Sequence, residues 1–265
     1  MNSTWHEPTL AAIHLWAVVP ALEPLLANDP AAREVAGPSP WALRLRIAGG
    51  PSATVRWDGK RMQVNSEDLA PVDAVLTFLT PSHLNGMFLR TPGAIPPFTL
   101  RGLFRLEMTR RFQAVMDRLE SVLKPGSPAE DTLRAPAMLR LAAGGLRALS
   151  AYDQEVRSEM ARMPRGLAEF VVEGINCAAW IDNSTDPWTV GTGRSKASPD
   201  VRITFRDSEI AIAAFDNRLD PNAALGLCQV RVDGCLPLAE ALNHTLERMQ
   251  GYLLPSQSHA IPQPI

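Results

Sequence analysis

The chain has 265 residues, 46% of them hydrophobic and 20% charged, which suffices for one large core or two ordinary ones and argues against a disordered chain. Its 26 basic and 28 acidic residues leave a formal charge of -2, without the strongly basic balance that nucleic-acid binding calls for. Three widely spaced cysteines, Cys177, Cys228 and Cys235, form neither a disulfide framework nor a zinc motif, so buried reduced thiols and a cytoplasmic location are expected.

The segment Ala11–Leu26 is apolar, but Glu23 and the prolines Pro20 and Pro24 interrupt it and no positive flank precedes it. It is short for a bilayer span. Leu10, Ile13, Trp16 and Val19 fit one helical face, so a packing helix is expected. Four strands follow. Ala42–Ile47 alternates, Ala53–Trp57 leads into the Asp58-Gly59 turn, Lys60–Asn65 returns, and Val72–Phe78 is the fourth. A helical or irregular stretch reaches Phe88, a short strand ends at Gly102, and Met108, Phe112, Val115, Leu119 and Val122 mark an amphipathic helix. That helix ends near Lys124-Pro125-Gly126.

Ser127-Pro128-Ala129-Glu130 reads as a capping box opening a second long helical segment, Pro128–Met160, in which Gly144-Gly145 is expected to make a kink or break. The segment could brace both halves or mediate a homodimer. Beyond it the plan repeats. Leu167–Glu173, Asn176–Ile181, Trp188–Gly191 and Asp200–Phe205 are strands, Asp220-Pro221 starts a helix, and Val230–Gly234 is a short strand. The last helix carries Leu238, Leu242, Thr245 and Met249 on one face. Asp73 and Asp200, Thr77 and Thr204, Phe78 and Phe205, and Phe88 and Phe215 are each 127 positions apart. The shared aspartate suggests a structural job, the receipt of backbone N–H groups. The proline-interrupted stretch from Leu254 reads as a flexible tail over 255–265.

Within the second half, Ala178-Ala179-Trp180, Ser198-Pro199-Asp200-Val201, Phe205-Arg206-Asp207, Leu219 to Ala224 and Val230 to Gly234 occur in an order that resembles the sterol carrier protein 2 family. The resemblance covers Met163–Leu254 well and Trp41–Leu123 more weakly, and the first half departs from it at Arg90–Pro97. It implies an α+β fold of two such domains, 1–125 and 126–254, each a mostly antiparallel five-stranded sheet with helices packed on one face. It also implies an apolar tunnel between sheet and helices for a sterol, fatty acyl or isoprenoid-like molecule. The expected lining in the second half is Phe170, Val172, Trp180, Phe205, Ile210, Ile212, Phe215, Leu225, Leu238 and Leu242. In the first half it includes Phe78, Met87, Phe88 and Phe112, with Leu45, Val55, Leu84 and Leu103 beside them.

Little else carries chemistry. Gly191 to Lys196 lacks phosphate-loop spacing and reads as a surface hairpin. His6, His14, His83, His244 and His259 have no metal-site spacing, and His244 is placed to pair with Glu240 one helical turn away. Glu67-Asp68 and Glu130-Asp131 fall in a loop and at a helix start. The basic group Arg101, Arg105, Arg110 and Arg111 reads as a solvated helix face. The expectation is a non-catalytic carrier of a hydrophobic small molecule, with no cofactor, no nucleic-acid partner and no integral membrane association. Two alternatives stay open: a protein-interaction scaffold with a closed tunnel, and an enzyme acting on a hydrophobic intermediate.

Overall fold

The computed structural model describes residues 6–66, 69–92, 98–99, 106–124, 126 and 130–253. The chain opens with α1 (Glu7–Ile13), passes through a π-helical turn (His14–Val18) and a 3-10 turn (Val19–Ala21), and continues as α2 (Leu22–Asn28). The irregularity has a cause in the sequence. Pro20 has no N–H to give the Trp16 carbonyl, and the Val19 N–H reaches five residues back to the His14 carbonyl. The continuous run Glu7–Asn28 is 22 residues long and is apolar enough to cross a membrane by length and composition, longer than the sequence pattern indicated. Within the 18-residue window that meets this test, 67% of the residues are buried in the rest of the protein. Then comes α3 (Pro30–Ala36), capped by Asp29.

The first sheet contains β1 (Trp41–Ile47), β2 (Ser52–Trp57), β3 (Met62–Asn65), β4 (Ala74–Phe78) and β5 (Phe98–Thr99), in the order β3-β2-β1-β4-β5. Asp58 closes the β2–β3 hairpin, accepting from the backbone N–H groups of Lys60 and Arg61 at 2.7 Å each. Between β4 and β5 lies α4 (Pro81–Phe88), and after β5 comes α5 (Leu106–Leu123). The second sheet contains β6 (Leu167–Val172), β7 (Cys177–Asp182), β8 (Thr189–Thr192), β9 (Val201–Phe205) and β10 (Val230–Gly234), in the order β8-β7-β6-β9-β10. It carries α8 (Ser208–Phe215), α9 (Pro221–Gly226) and α10 (Leu236–Leu253). The two strand orders correspond element by element. Both sheets are mixed: three pairings in each are antiparallel, and the central pairs β1–β4 and β6–β9 are parallel. The expected α+β architecture with mostly antiparallel five-stranded sheets is what the chain adopts.

The aspartates at equivalent strand entries do the same work. Asp73 accepts from the Ala42 N–H at 2.9 Å and Asp200 from the Leu167 N–H at 2.8 Å, each pinning the entering end of the central parallel pair. Helix starts repeat as well. Thr80 caps α4 through the His83 N–H, and Asp207 caps α8 through the Ile210 N–H.

Between the halves runs α6 (Asp131–Tyr152), followed by α7 (Gln154–Glu159). The expected break at Gly144-Gly145 does not occur, and α6 is one helix of 22 residues. The glycines serve close packing instead. A Cβ on Gly144 would lie 2.0 Å from the Trp16 carbonyl oxygen, and one on Gly145 would lie 1.7 Å from Met249 Sδ. The helix touches α1, α2 and α5 of the first half and α8, α10, β7 and β8 of the second, so it braces both. Ser127–Ala129 of the expected capping box lie outside the described residues, and Glu130 at the helix start makes no side-chain cap.

Other expectations need correction. His244 is 3.9 Å from Glu247, three residues on, rather than paired with Glu240. Cys228 is exposed, whereas Cys177 and Cys235 are half-buried. Arg101, Arg105, Leu103, Glu67-Asp68, Gly93–Pro97 of the departing stretch, His259 and the 255–265 tail lie outside the described residues.

Candidate functional site

The expected lining residues separate into groups. Phe170, Val172, Phe205, Ile210, Leu238 and Leu242 lie together in the second core, between the sheet and its helices, and Ile212 is buried on α8. Phe78, Leu45, Val55 and Leu84 are packed in the first core. Two residues face elsewhere. Trp180 is directly opposite Glu169 across β6–β7, on the face turned away from Phe170, Ala179 and Ile181, and it covers Gly191 of β8. Strand alternation therefore keeps its ring out of the space between sheet and helices. Leu225 is exposed on α9.

Met87, Phe88, Phe112 and Phe215 come together around a cavity of about 1390 Å³. Both halves wall it, and on the first-half side it reaches Leu76 of β4, beneath Phe112 and Leu119 of α5. Its described walls come from the π-turn (His14, Val18), α4 (Met87, Phe88), α5 (Phe112, Met116, Leu119, Leu123), α6 (Met138, Leu141, Ala142) and α10 (Leu246, Met249, Leu253). Phe215 and the acid and amide that follow it, Asp216 and Asn217, close the side formed by α8. The walls are paired by the internal repeat. Phe88 and Phe215 end equivalent helices, 127 positions apart. The closing helices α5 and α10 are both 18 residues long, and 130 positions separate Met116 from Leu246, Leu119 from Met249, Glu120 from Gln250, and Leu123 from Leu253. Each closing helix thus turns one side of its apolar stripe to its own sheet and the other side to the shared space.

The volume exceeds the ~300–1,000 Å³ of ordinary small-molecule sites. Met87, Met116, Met138 and Met249 supply flexible, polarisable walls that can fit more than one apolar shape. Charged groups border the cavity mostly as pairs. Arg90 is bonded to Asp117 and lies 2.9 Å from Glu120, while Asp216 meets Arg134 at 3.4 Å and Arg218 at 3.1 Å. The Arg134–Asp216 pair is almost fully buried and joins the first turn of α6 to the end of α8.

Sequence reasoning missed His14 here. Its ring is 4% exposed, stacks on Phe88 at 4.6 Å between centroids, and places Nδ1 3.0 Å from Asn85 Oδ1. Burial pushes its pKa down to about 4, against the hydrogen bond to Asn85, so the ring is neutral at pH 7. The available signals were Pro20, which perturbs this helix, and the equal spacing of Phe88 and Phe215. Neither one says that the two halves face each other.

No family model and no curated protein matches the chain. Among solved structures it is similar to sterol carrier protein domain 2 of Helicoverpa armigera, with 20% identity over 48% of this chain and 95% of that one and a TM-score of 0.34. A ubiquinone synthesis protein, UbiJ-SCP2, aligns at 11% identity over 46% of this chain and 96% of that one, with a TM-score of 0.35. The apo form of sterol carrier protein 2 from Yarrowia lipolytica aligns at 14% over 39% and 92%, with a TM-score of 0.32. Each match takes in nearly all of the neighbour and under half of this chain, and what the chain resembles over that stretch is the sterol carrier protein 2 domain.

Proposed function

We propose that the protein is a non-catalytic carrier that binds one hydrophobic small molecule in the cavity between its two halves. On this reading residues 1–125 and 126–254 are two domains that hold a ligand jointly, rather than two carriers with a tunnel each. The supporting observation is the cavity of about 1390 Å³ walled by apolar side chains from both halves and from α6. Apolar walls of this extent gain roughly 25 cal/mol for each Å² covered by a ligand instead of water. The volume suits a long acyl or prenyl chain or a fused-ring body.

Native mass spectrometry of the gently purified full chain, followed by denaturation and identification of what is released, tests the reading. One amphiphile per chain is expected. Two per chain would favour separate tunnels. A chain that emerges empty and then refuses sterols, fatty acids, long-chain alcohols and isoprenoids would overturn the carrier reading.

A further inference from the structure

We infer that the ligand's polar end is an uncharged hydroxyl, alcohol or phenol, which donates its hydrogen to Nε2 of His14. This inference rests on the cavity reading above and adds the chemistry of the head group.

Asn85 sets the tautomer of the ring. That side chain is 2% exposed, and its Nδ2 donates both to the Glu7 carbonyl at 3.0 Å and to Glu7 Oε2 at 2.5 Å. Flipping the amide would set its oxygen against two acceptors, so the orientation is fixed. Oδ1 then faces the imidazole, and only a protonated Nδ1 can donate to it across the 3.0 Å contact. In a neutral ring the proton on Nδ1 leaves Nε2 with a lone pair and no hydrogen. Among the described residues Nε2 has no hydrogen-bonding partner, and His14 is part of the cavity wall although it is almost wholly buried. On this proposal Nε2 is the acceptor that His14 offers to the cavity it lines, and the Asn85 bond and stacking on Phe88 hold the ring in place.

An acceptor selects a donor. An ionised carboxylate or a fully ionised phosphate head has no hydrogen to offer and would face the lone pair directly. An ammonium head could donate, but the burial that keeps the ring neutral also penalises a charge brought against it. Arg90, an arginine of the wall, is already bonded to Asp117 and Glu120. Lys124 is exposed at the edge and reaches into solvent.

The test uses three ligands with unbranched tails of nearly equal length: hexadecan-1-ol, methyl hexadecyl ether and ionised palmitate. Each is titrated against an apolar fluorophore bound to the full chain at neutral pH. The alcohol is expected to bind about tenfold more tightly than the ether, the worth of one net buried hydrogen bond. In His14→Phe, which keeps a ring to stack on Phe88, the alcohol-to-ether ratio should fall to within about twofold. On the unaltered protein, the imidazole 15N spectrum should show Nε2 unprotonated and shifting when the alcohol binds, with no such shift for the ether. Equal binding of alcohol and ether, a preference for palmitate, or an Nε2 signal indifferent to the alcohol would each overturn the assignment. If neither alcohol nor ether displaces the fluorophore, the cavity reading itself falls, and the head-group assignment with it.

Discussion

Gly144 of α6 lies against the Trp16 carbonyl so closely that a Cβ at that position would be 2.0 Å from the oxygen and 2.7 Å from the Ala17 Cα. The oxygen is free of an ordinary helical bond because Pro20 cannot donate to it. An irregular helix and a glycine in another helix are thus two sides of one contact. Gly144→Ala should gain about 1 kcal/mol in helix propensity and lose more to the clash. The clashing atoms are backbone and cannot swing away, so a net loss of about 2 kcal/mol is expected. Gly145→Ala meets the thioether of Met249, a flexible chain end, and should lose less. Urea midpoints with unchanged m-values would show this order, and an equal effect of the two substitutions would refute it.

Asp73 and Asp200 offer a test of the repeat. Each accepts a backbone N–H at the entry to a central strand. Replacement by Ala should cost about 1–2 kcal/mol at either site, because a strand-end donor loses its acceptor. Asn keeps an oxygen in place and should recover most of the loss. A large cost for Ala at one site only would mean that the two aspartates are not equivalent.

The two sheets were legible because strand signals such as the alternation in Ala42–Ile47 and the Asp58-Gly59 turn need only local information, and the 127-residue spacing of the fourth strands carried the plan from one half to the other. The candidate site was less so. Apolar periodicity on α5 and α10 shows which residues avoid water, but a helix stripe that covers a sheet looks the same as one that covers a sheet on one side and a cavity on the other. Met116 and Leu246 belong to the second kind, and only the approach of the two halves along α6 reveals it. Trp180 illustrates the opposite error. A large apolar ring in a strand suggested lining, yet the period of two places it opposite Glu169, whose carboxylate accepts from Arg202 Nε at 2.8 Å and Arg194 Nη1 at 3.0 Å on the outer face. Gly144-Gly145 was read through propensity alone, and packing reversed its meaning.

His14 gives the protein a specific pH dependence. Its pKa falls from 6.5 to about 4 on folding. Between those values the unfolded chain takes up a proton that the folded chain refuses, so stability declines as the pH drops through 6.5 and levels off below 4. A shift of this size is worth about 3 kcal/mol across the window. Asp207, whose carboxyl is drawn below its usual range by the Ile210 N–H, loses its contribution only at lower pH, so the two effects separate. Urea unfolding at about pH 7 and about pH 4.5, on either side of most of that window, should show the decline in the unaltered protein and a much smaller one in His14→Phe. An identical slope in both would place the titrating group elsewhere.

Ala142 allows the cavity to be filled without touching His14. It is a small, 4% exposed residue on the middle of α6, facing the shared space with Met138 and Leu141 as neighbours. Overpacking normally costs about 1–3 kcal/mol because a core has no room for added atoms. Ala142→Phe instead directs its ring into a space of about 1390 Å³, so the fold should keep its stability or gain some from added apolar burial. Binding should suffer, because the ring occupies the middle of the space a long tail must cross. A loss of about tenfold or more in affinity for hexadecan-1-ol is expected, with an equal loss for its methyl ether, since the obstruction acts on the tail rather than on the head. That pattern differs from the loss of the alcohol preference expected for His14→Phe. A destabilised protein would show that the cavity is packed shut in solution, and undiminished binding in a stable one would show that the tail lies elsewhere.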